Sequence, residues 1–326
     1  MRSLPPRGRV SDFGRPGATD LNVLAVTTPI YLLIGLGFLA VRAGWFSRAD
    51  MRVLGQLVLR FALPAMLFGM LARRSVGEIV NARYLLAYAG GSLAALAAGW
   101  FWARRHGSSY RAFVGMGMGF SNSGFVGAPV LMQWIGPAAA VPLALTMVVE
   151  NLLMIPLALA LAERDEARHA TPRERLVATA MSLLRNPLVL AIVAGVGMAA
   201  LGLALPAPVQ RAVDLLAQAS AAVALIVIGG SLVGLQLHGQ RRDIAVVALG
   251  KLALHPLAVA ALAFWLLPAD PMLRTAAVAI AAMPMLSIYP VLAQKYGHEG
   301  FCAAALLATT VASFPAVSAW LWLLAG

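Results

Sequence analysis

The sequence predicts an all-α membrane protein with ten transmembrane helices in two inverted five-helix repeats, in which helices 4 and 9 are broken and cross. Three observations carry that prediction. Apolar stretches of about 20 residues, each long enough to cross a bilayer as a helix, recur from Leu21 to the C-terminus. The fourth and ninth stretches end in a shared string, and the same two stretches concentrate glycine, proline and small polar residues at membrane depth. Composition agrees: 61% of the residues are hydrophobic and 12% charged, with a mean hydropathy of +0.82. A soluble domain carries about a quarter of its residues as charges.

Taken in order, the spans are expected near 22–42, 52–72, 83–103, 111–134, 137–162, 176–204, 211–237, 243–267, 271–296 and 299–325. Residues 1–20 are polar, with three prolines and four arginines, and read as a disordered tail; no apolar core precedes a cleavage site, so they are not a secretory signal. The stretch 163–175 is the most polar internal segment and reads as a cytoplasmic linker between a first repeat, 21–162, and a second, 176–326.

The formal charge of +12 lies in short gaps between apolar runs, as in Arg73-Arg74, Arg104-Arg105 and Arg241-Arg242. That is the distribution of loop charges and phospholipid-headgroup anchors, and it excludes a nucleic-acid-tracking stripe. With the N-terminus outside, thirteen basic loop residues face the cytoplasm and five face out; the tail arginines narrow the count to thirteen against nine. This count favours an N-terminus outside; the excess of Arg over Lys and the abundance of Ala and Gly suggest a GC-rich bacterial genome, and so a bacterial inner membrane. The single cysteine, Cys302, lies in an apolar run and can form no disulfide within the chain.

The repeat rests on two matches. Gly35-x-Gly37 in span 1 recurs as Gly195-x-Gly197 in span 6, 160 positions later. Pro129-Val-Leu-x-Gln-x-x-Gly136 at the end of span 4 recurs as Pro290-Val-Leu-x-Gln-x-x-Gly297 at the end of span 9, offset by 161. Five spans per copy is an odd number, so the second copy must sit inverted, as in many secondary transporters.

Span 4 reads Gly115-Met-Gly-Met-Gly119-Phe-Ser121-Asn122-Ser123-Gly124-Phe-Val-Gly127-Ala-Pro129. Glycine costs about 1 kcal/mol and interior proline about 3 kcal/mol relative to alanine in a helix, so unwinding is expected near Ser121–Gly124. The competing reading is close packing of unbroken helices through Gly115-x-x-x-Gly119. Span 9 has Pro284-Met285-Leu-Ser287-Ile-Tyr289-Pro290, with more prolines than one kink requires; the competing reading is a simple bend. If both spans unwind and cross, half-helix N-termini with free N–H groups attract a carboxylate, and free carbonyls at the opposing ends attract a cation. Gly127, Pro129 and Pro290 are the residues that fix the breaks.

The string Asn122-x-Gly124-Phe-x-Gly127-x-Pro129, together with Pro284 and Ala293-Gln-Lys-Tyr-Gly297, resembles the auxin efflux carrier family, which includes plant auxin carriers and bacterial malate and malonate permeases. The resemblance covers 22–325. It implies ten spans in two inverted repeats, a scaffold part and a transport part, and substrate at the crossing of spans 4 and 9. It matches Asn122 to the asparagine that contacts the substrate carboxylate, and extends the substrate site to Ser121, Ser123, Gly124, Pro284, Met285, Ser287 and Tyr289. Two departures stand out: Ser121 replaces the proline of plant relatives, and Met285 and Ser287 stand where relatives often carry an amide.

Four ionisable residues fall inside spans, where charge is costly and a functional role is the default: Arg60, Glu150, Lys251 and His255. Glu150 reads as a proton-carrying acid, as the partner of Arg60 or as a residue near an interface. Arg60 reads as that partner or as an attractor of anions. Lys251 and His255, four apart on one face of span 8, read as a basic wall or, with preference, as a snorkelling lysine and a satisfied core histidine. The function expected is secondary transport of a small organic anion, with H+ or Na+ as coupling ion and uncoupled facilitation as the alternative; no cofactor or metal is expected, and a homodimer is compatible. A membrane-embedded enzyme or a sensor is a distant alternative: HExxH, paired intramembrane aspartates and a Gly-x-Ser-x-Gly elbow are all missing from the sequence, and the inverted repeat weighs against a sensor.

Overall fold

The computed structural model describes residues 18–73, 81–162, 181, 185–234 and 241–325, with side chains between 28 and 324. The expected tail and linker lie outside the described residues, apart from Ala18–Asp20, which open the first helix. The described residues are helical throughout, with short turns between helices. In chain order the helices are α1 (Ala18–Arg42), α2 (Arg48–Leu71), α3 (Ala82–Trp102), α4 (Ser108–Gly119), α5 (Ala128–Ile135), α6 (140–162), α7 (Pro187–Leu201), α8 (Ala207–Ser231), α9 (Arg241–Leu266), α10 (Pro271–Ala282), α11 (Tyr289–Ala293) and α12 (Glu299–Ala325). Among the described residues, six helical stretches are long and apolar enough to cross a membrane, and Thr28–Arg42, Pro187–Leu201 and Pro271–Ala282 are shorter apolar helices.

The longest stretch, Ser108–Ala162, has 55 residues. At 1.5 Å per residue a continuous helix of that length would be more than twice as long as a bilayer core of about 30 Å is thick. It does not run straight: α4 packs against Ile155–Ala162, so the chain doubles back through a 3-10 turn at Gly136–Ala139. Gly136 opens that turn at φ 63°, and Gly297, its counterpart in the second string, sits at φ 70° after the 3-10 turn Gln294–Tyr296. Of the matching prolines, Pro290 occupies the first turn of a short helix, where the missing N–H costs nothing, whereas Pro129 follows the helical turn Ser123–Gly127 directly. The two strings thus share a positive-φ glycine at matching places, but not one conformation: Gly136 has ψ −148° and opens its 3-10 turn, whereas Gly297 has ψ 20° and closes its own.

The helices approach at backbone level through glycine. A Cβ on Gly37 of α1 would lie 2.1 Å from the carbonyl oxygen of Ile226 in α8, and one on Gly229 would lie 1.8 Å from that of Ile34. Gly91 of α3 meets Val259 of α9 in the same way. Lipid is as apolar as leucine, so close packing of this kind, and not burial from water, holds such helices together. The Gly35/Gly37 and Gly195/Gly197 pairs are not used alike: Gly37 and Gly195 lie at tight crossings, whereas Gly35 and Gly197 face open space.

Four π-helical turns interrupt the ladders, at Val58–Ala62, Ser123–Gly127, Val149–Met154 and Gly250–Leu254. Each is followed after one residue by a proline: Pro64, Pro129, Pro156 and Pro256. The residue before the proline donates to the carbonyl five positions back, as Leu63 does to Val58 and His255 to Gly250. A proline ring collides with the carbonyl four residues before it, and the widened turn relieves the collision. At Pro256 the carbonyl left without a proline N–H is that of Leu252, and the indole of Trp320 donates to it at 2.9 Å.

The glycine contacts give a paired prediction within one helix. Gly37→Ala should destabilise the detergent-solubilised protein by about 1–3 kcal/mol through overpacking, while Gly35→Ala leaves its melting temperature unchanged. Equal melting temperatures for the two variants would mean that α1 and α8 do not meet at Gly37.

Candidate functional site

Both breaks exist, and they meet. α4 stops at Gly119; Phe120 turns extended at φ −116°, ψ 137°, and helix resumes at Ser123. The interruption therefore covers Phe120–Asn122 and ends two residues earlier than the sequence suggested. In the other span α10 stops at Ala282, Met283 turns extended, and α11 starts at Tyr289. The N–H of Asn122 donates to the carbonyl of Pro284 at 2.8 Å, and its side-chain amide donates to Ser287 Oγ at 2.5 Å. Asn122 Oδ1 accepts from Phe125 N, and its backbone carbonyl accepts from Val126 and Gly127. One residue thus caps the restarted helix and ties the two breaks together. Close packing operates as well: a Cβ on Gly115 would lie 2.6 Å from Leu96 O, and one on Gly119 would lie 2.6 Å from Ser92 O. The glycines bring α4 onto α3, and the break begins where they end.

Around the crossing lies a buried polar network. Lys251 is fully buried, so it does not snorkel. The Gly250–Leu254 turn and the backbone of α10 enclose it, and Nζ spends its donors on Ser121 Oγ at 3.0 Å, His255 Nδ1 at 2.9 Å and the carbonyl of Ala281 at 2.5 Å. With Lys251 as an ammonium, Nδ1 of His255 accepts and Nε2–H donates to Ser92 Oγ at 2.9 Å. The histidine is a satisfied core residue, as expected, and also the link that carries the network to α3.

Glu150 lies on the opposite side of Ser121 and is 4% exposed. Its Oε1 accepts from Tyr88 OH at 3.0 Å and from Ser121 N at 3.3 Å, and its Oε2 accepts from Ser123 Oγ. Ser121 therefore bridges a cationic side chain from α9 and a carboxyl from α6, one through its hydroxyl and the other through its N–H. The charges also suit the broken backbone. Lys251 stands at the C-terminal end of α10, where the helix dipole is negative, and Glu150 at the N-terminal end of the helix that restarts at Ser123.

Arg60 is corrected. It is exposed, on the π turn of α2, and the partners of Glu150 are Tyr88, Ser121 and Ser123, so no Arg60–Glu150 pair forms. The remaining candidates divide. Gly124 and Ser287 are half-buried; Ser287 meets the Asn122 amide at the crossing, and Leu63 of α2 is nearest to Gly124. Tyr289 turns the other way: its hydroxyl donates to Phe113 O at 2.6 Å, and Met285 is fully buried in the core. Sequence reasoning missed Tyr84, Tyr88 and Ser92, which line one face of α3 at intervals of four. Tyr84 OH engages Thr146 at 2.8 Å and stacks on Tyr88, ring centroids 6.2 Å apart. That i, i+4 spacing of hydroxyls in an apolar span was the signal available.

Between α1, α5 and α12 the crossing opens on a small cavity lined by Tyr31, Val126, Pro284, Thr310 and Ser313. It holds about 10 Å³, room for no more than a single water.

Residues 23–321 match the family described as "Membrane transport protein". The chain is also 30% identical over 308 residues to a Rhizobium meliloti (strain 1021) protein named "Putative malonate transporter", covering 93% of this chain and 96% of that protein.

The network makes Lys251 a stability determinant. Lys251→Met leaves Ser121 Oγ, His255 Nδ1 and the Ala281 carbonyl without their donor, and should cost about 3–5 kcal/mol. Arg60→Met should cost little. Thermal melts of the two purified variants test this; a Lys251→Met protein as stable as the parent would remove the lysine from the network.

Proposed function

We propose, from the premise that this chain belongs to the auxin efflux carrier family of membrane transport proteins, that it carries a small organic anion by alternating access. A carboxylate or dicarboxylate of the malonate or malate kind is the substrate class. The arrangement we infer is ten crossings in two inverted five-helix sets, in a bacterial inner membrane with the N-terminus outside. The carrying observation is the crossing: a capped half-helix N-terminus at Ser123, with its asparagine tied to the second break, inside an apolar bundle.

The chemistry follows from the groups at that point. The first N–H groups of a helix have no partner within it, and here they belong to Ser123 and Gly124. Together with the Asn122 amide they suit a carboxylate. The cavity beside the crossing is too small for a dicarboxylate, so substrate enters only when the packed group α1, α2, α7 and α8 shifts against the helices that bear the crossing.

Glu150 supplies the coupling. Its carboxyl already lies in the field of the Ser123 half-helix, and two like charges about 5 Å apart at an effective dielectric constant of about 20 repel by roughly 3 kcal/mol. A proton on Glu150 removes that repulsion, so proton and anion bind together and uptake rises as pH falls on the entry side. Sodium symport or uncoupled facilitation is the second reading. Against sodium, the Lys251 ammonium already holds the Ala281 carbonyl, an oxygen a cation would seek.

Uptake of labelled malonate into proteoliposomes tests both parts. Asn122→Ala should lower uptake at least about tenfold at equal protein; unchanged uptake would put the binding site elsewhere. Glu150→Gln should still equilibrate malonate but no longer accumulate it against its gradient when a pH difference is imposed. Accumulation by that variant equal to the parent's would take the proton away from Glu150.

A further inference from the structure

We propose that the cleft where α3 ends and α9 begins is a binding site for a phosphate ester, supplied by the headgroup of an anionic phospholipid. The cleft has a volume of about 810 Å³ and is lined by Phe101, Trp102, Arg104, Arg105, His106 and Arg242, with Ala98 and Asp243 at its inner side. That volume lies within the range of small-ligand sites, about 300–1,000 Å³.

Three guanidinium groups converge on the cleft, all exposed. Arg104 and Arg105 come from the turn after α3, and Arg242 comes from the first turn of α9. None forms an ion pair among the described residues, whereas Arg73 at the opposite end of the bundle pairs with Asp214 at 2.7 Å. The one carboxylate present does not neutralise them by contact. Both oxygens of Asp243 are turned inward, accepting from Trp102 Nε1 at 3.1 Å and Tyr110 OH at 2.8 Å. Asp243 thereby fixes the plane of Trp102, and the Arg242 guanidinium lies 5.1 Å from that ring.

Guanidinium groups match phosphate oxygens in pairs of parallel hydrogen bonds, and with both Asp243 oxygens engaged by Trp102 and Tyr110 the three arginines keep those donors available. The source is indicated by what lies beside the charges. Phe101 is 66% exposed and Trp102 42% exposed, side by side at the end of a span. Aromatic rings concentrate at the level where acyl chains give way to headgroups. A lipid satisfies both halves of the site, its phosphate on the arginines and its upper acyl chain on the rings.

The test is native mass spectrometry on the full chain, delipidated in detergent and titrated with phosphatidylglycerol, with phosphatidylcholine as the neutral comparison. The expected result is preferential retention of phosphatidylglycerol, weakened about 100-fold in Arg104→Gln/Arg105→Gln/Arg242→Gln, at about 1 kcal/mol for each charge removed. Arg83→Gln/Arg211→Gln, at the opposite ends of α3 and α8, should bind as the parent does. If the triple variant does not survive purification, Arg105→Gln alone should weaken binding about fivefold. Displacement of the lipid by soluble glycerol phosphate at a similar concentration supports the phosphate site but makes its source a soluble ester. Parental binding by the arginine variants, or equal loss in the Arg83/Arg211 control, overturns the proposal.

Discussion

A helix interrupted inside a bilayer exposes carbonyls and N–H groups that lipid cannot bond, and every other feature of this bundle is arranged around two such interruptions. The first answer is mutual: Asn122 N donates to the Pro284 carbonyl, so each break partly satisfies the other. The second is electrostatic. An ammonium is set against the carbonyl end of α10 and a carboxyl against the N–H end at Ser123, with Ser121 between them. Buried charges so placed are expensive to desolvate, and they persist because each has polar partners on more than one side. The same groups that make the broken backbone tolerable are the ones a moving anion and proton would meet.

That arrangement depends on closeness elsewhere. Ser92 reaches His255 because α3 lies against α9 with little more than backbone between them, and Tyr88 reaches Glu150 where α3 packs on the π turn of α6. Gly91, Gly99, Gly115 and Gly119 provide the approach, and the hydroxyls of α3 sit on the same surface. Small residues and polar residues thus act as one device: the glycines set the distance at which the hydrogen bonds form. On the other side, α1 and α8 pack through Gly37 and Gly229.

Much of this was legible in the sequence, for physical reasons. Apolar length announces spans, and glycine and proline inside them announce interrupted helix, so the breaks at 120–122 and 283–288 were expected within a few residues. Asn122 stood out because an amide at that depth needs partners. The charged residues were harder. Lys251 looked close enough to a span end to reach water, but α10 folds over it and supplies Ala281 as an acceptor, a contact between residues 30 positions apart that no local pattern encodes. Arg60 and Glu150 invited pairing as opposite charges in apolar surroundings, yet the π turn of α2 directs Arg60 outward. Tyr84, Tyr88 and Ser92 are ordinary letters in a span, and only their spacing marked them.

The π turns ahead of Pro64, Pro129, Pro156 and Pro256 have an effect on phase. One residue added to a turn rotates everything beyond it by about 100° relative to an unbroken helix. The stripe a span shows below its π turn is therefore not the stripe it shows above. In α9 the segment before the turn packs on α12 and α4, and the segment after it packs on α3 and α10. A single rod serves two sets of neighbours, and Lys251 sits at the point of rotation, where the backbone changes partners.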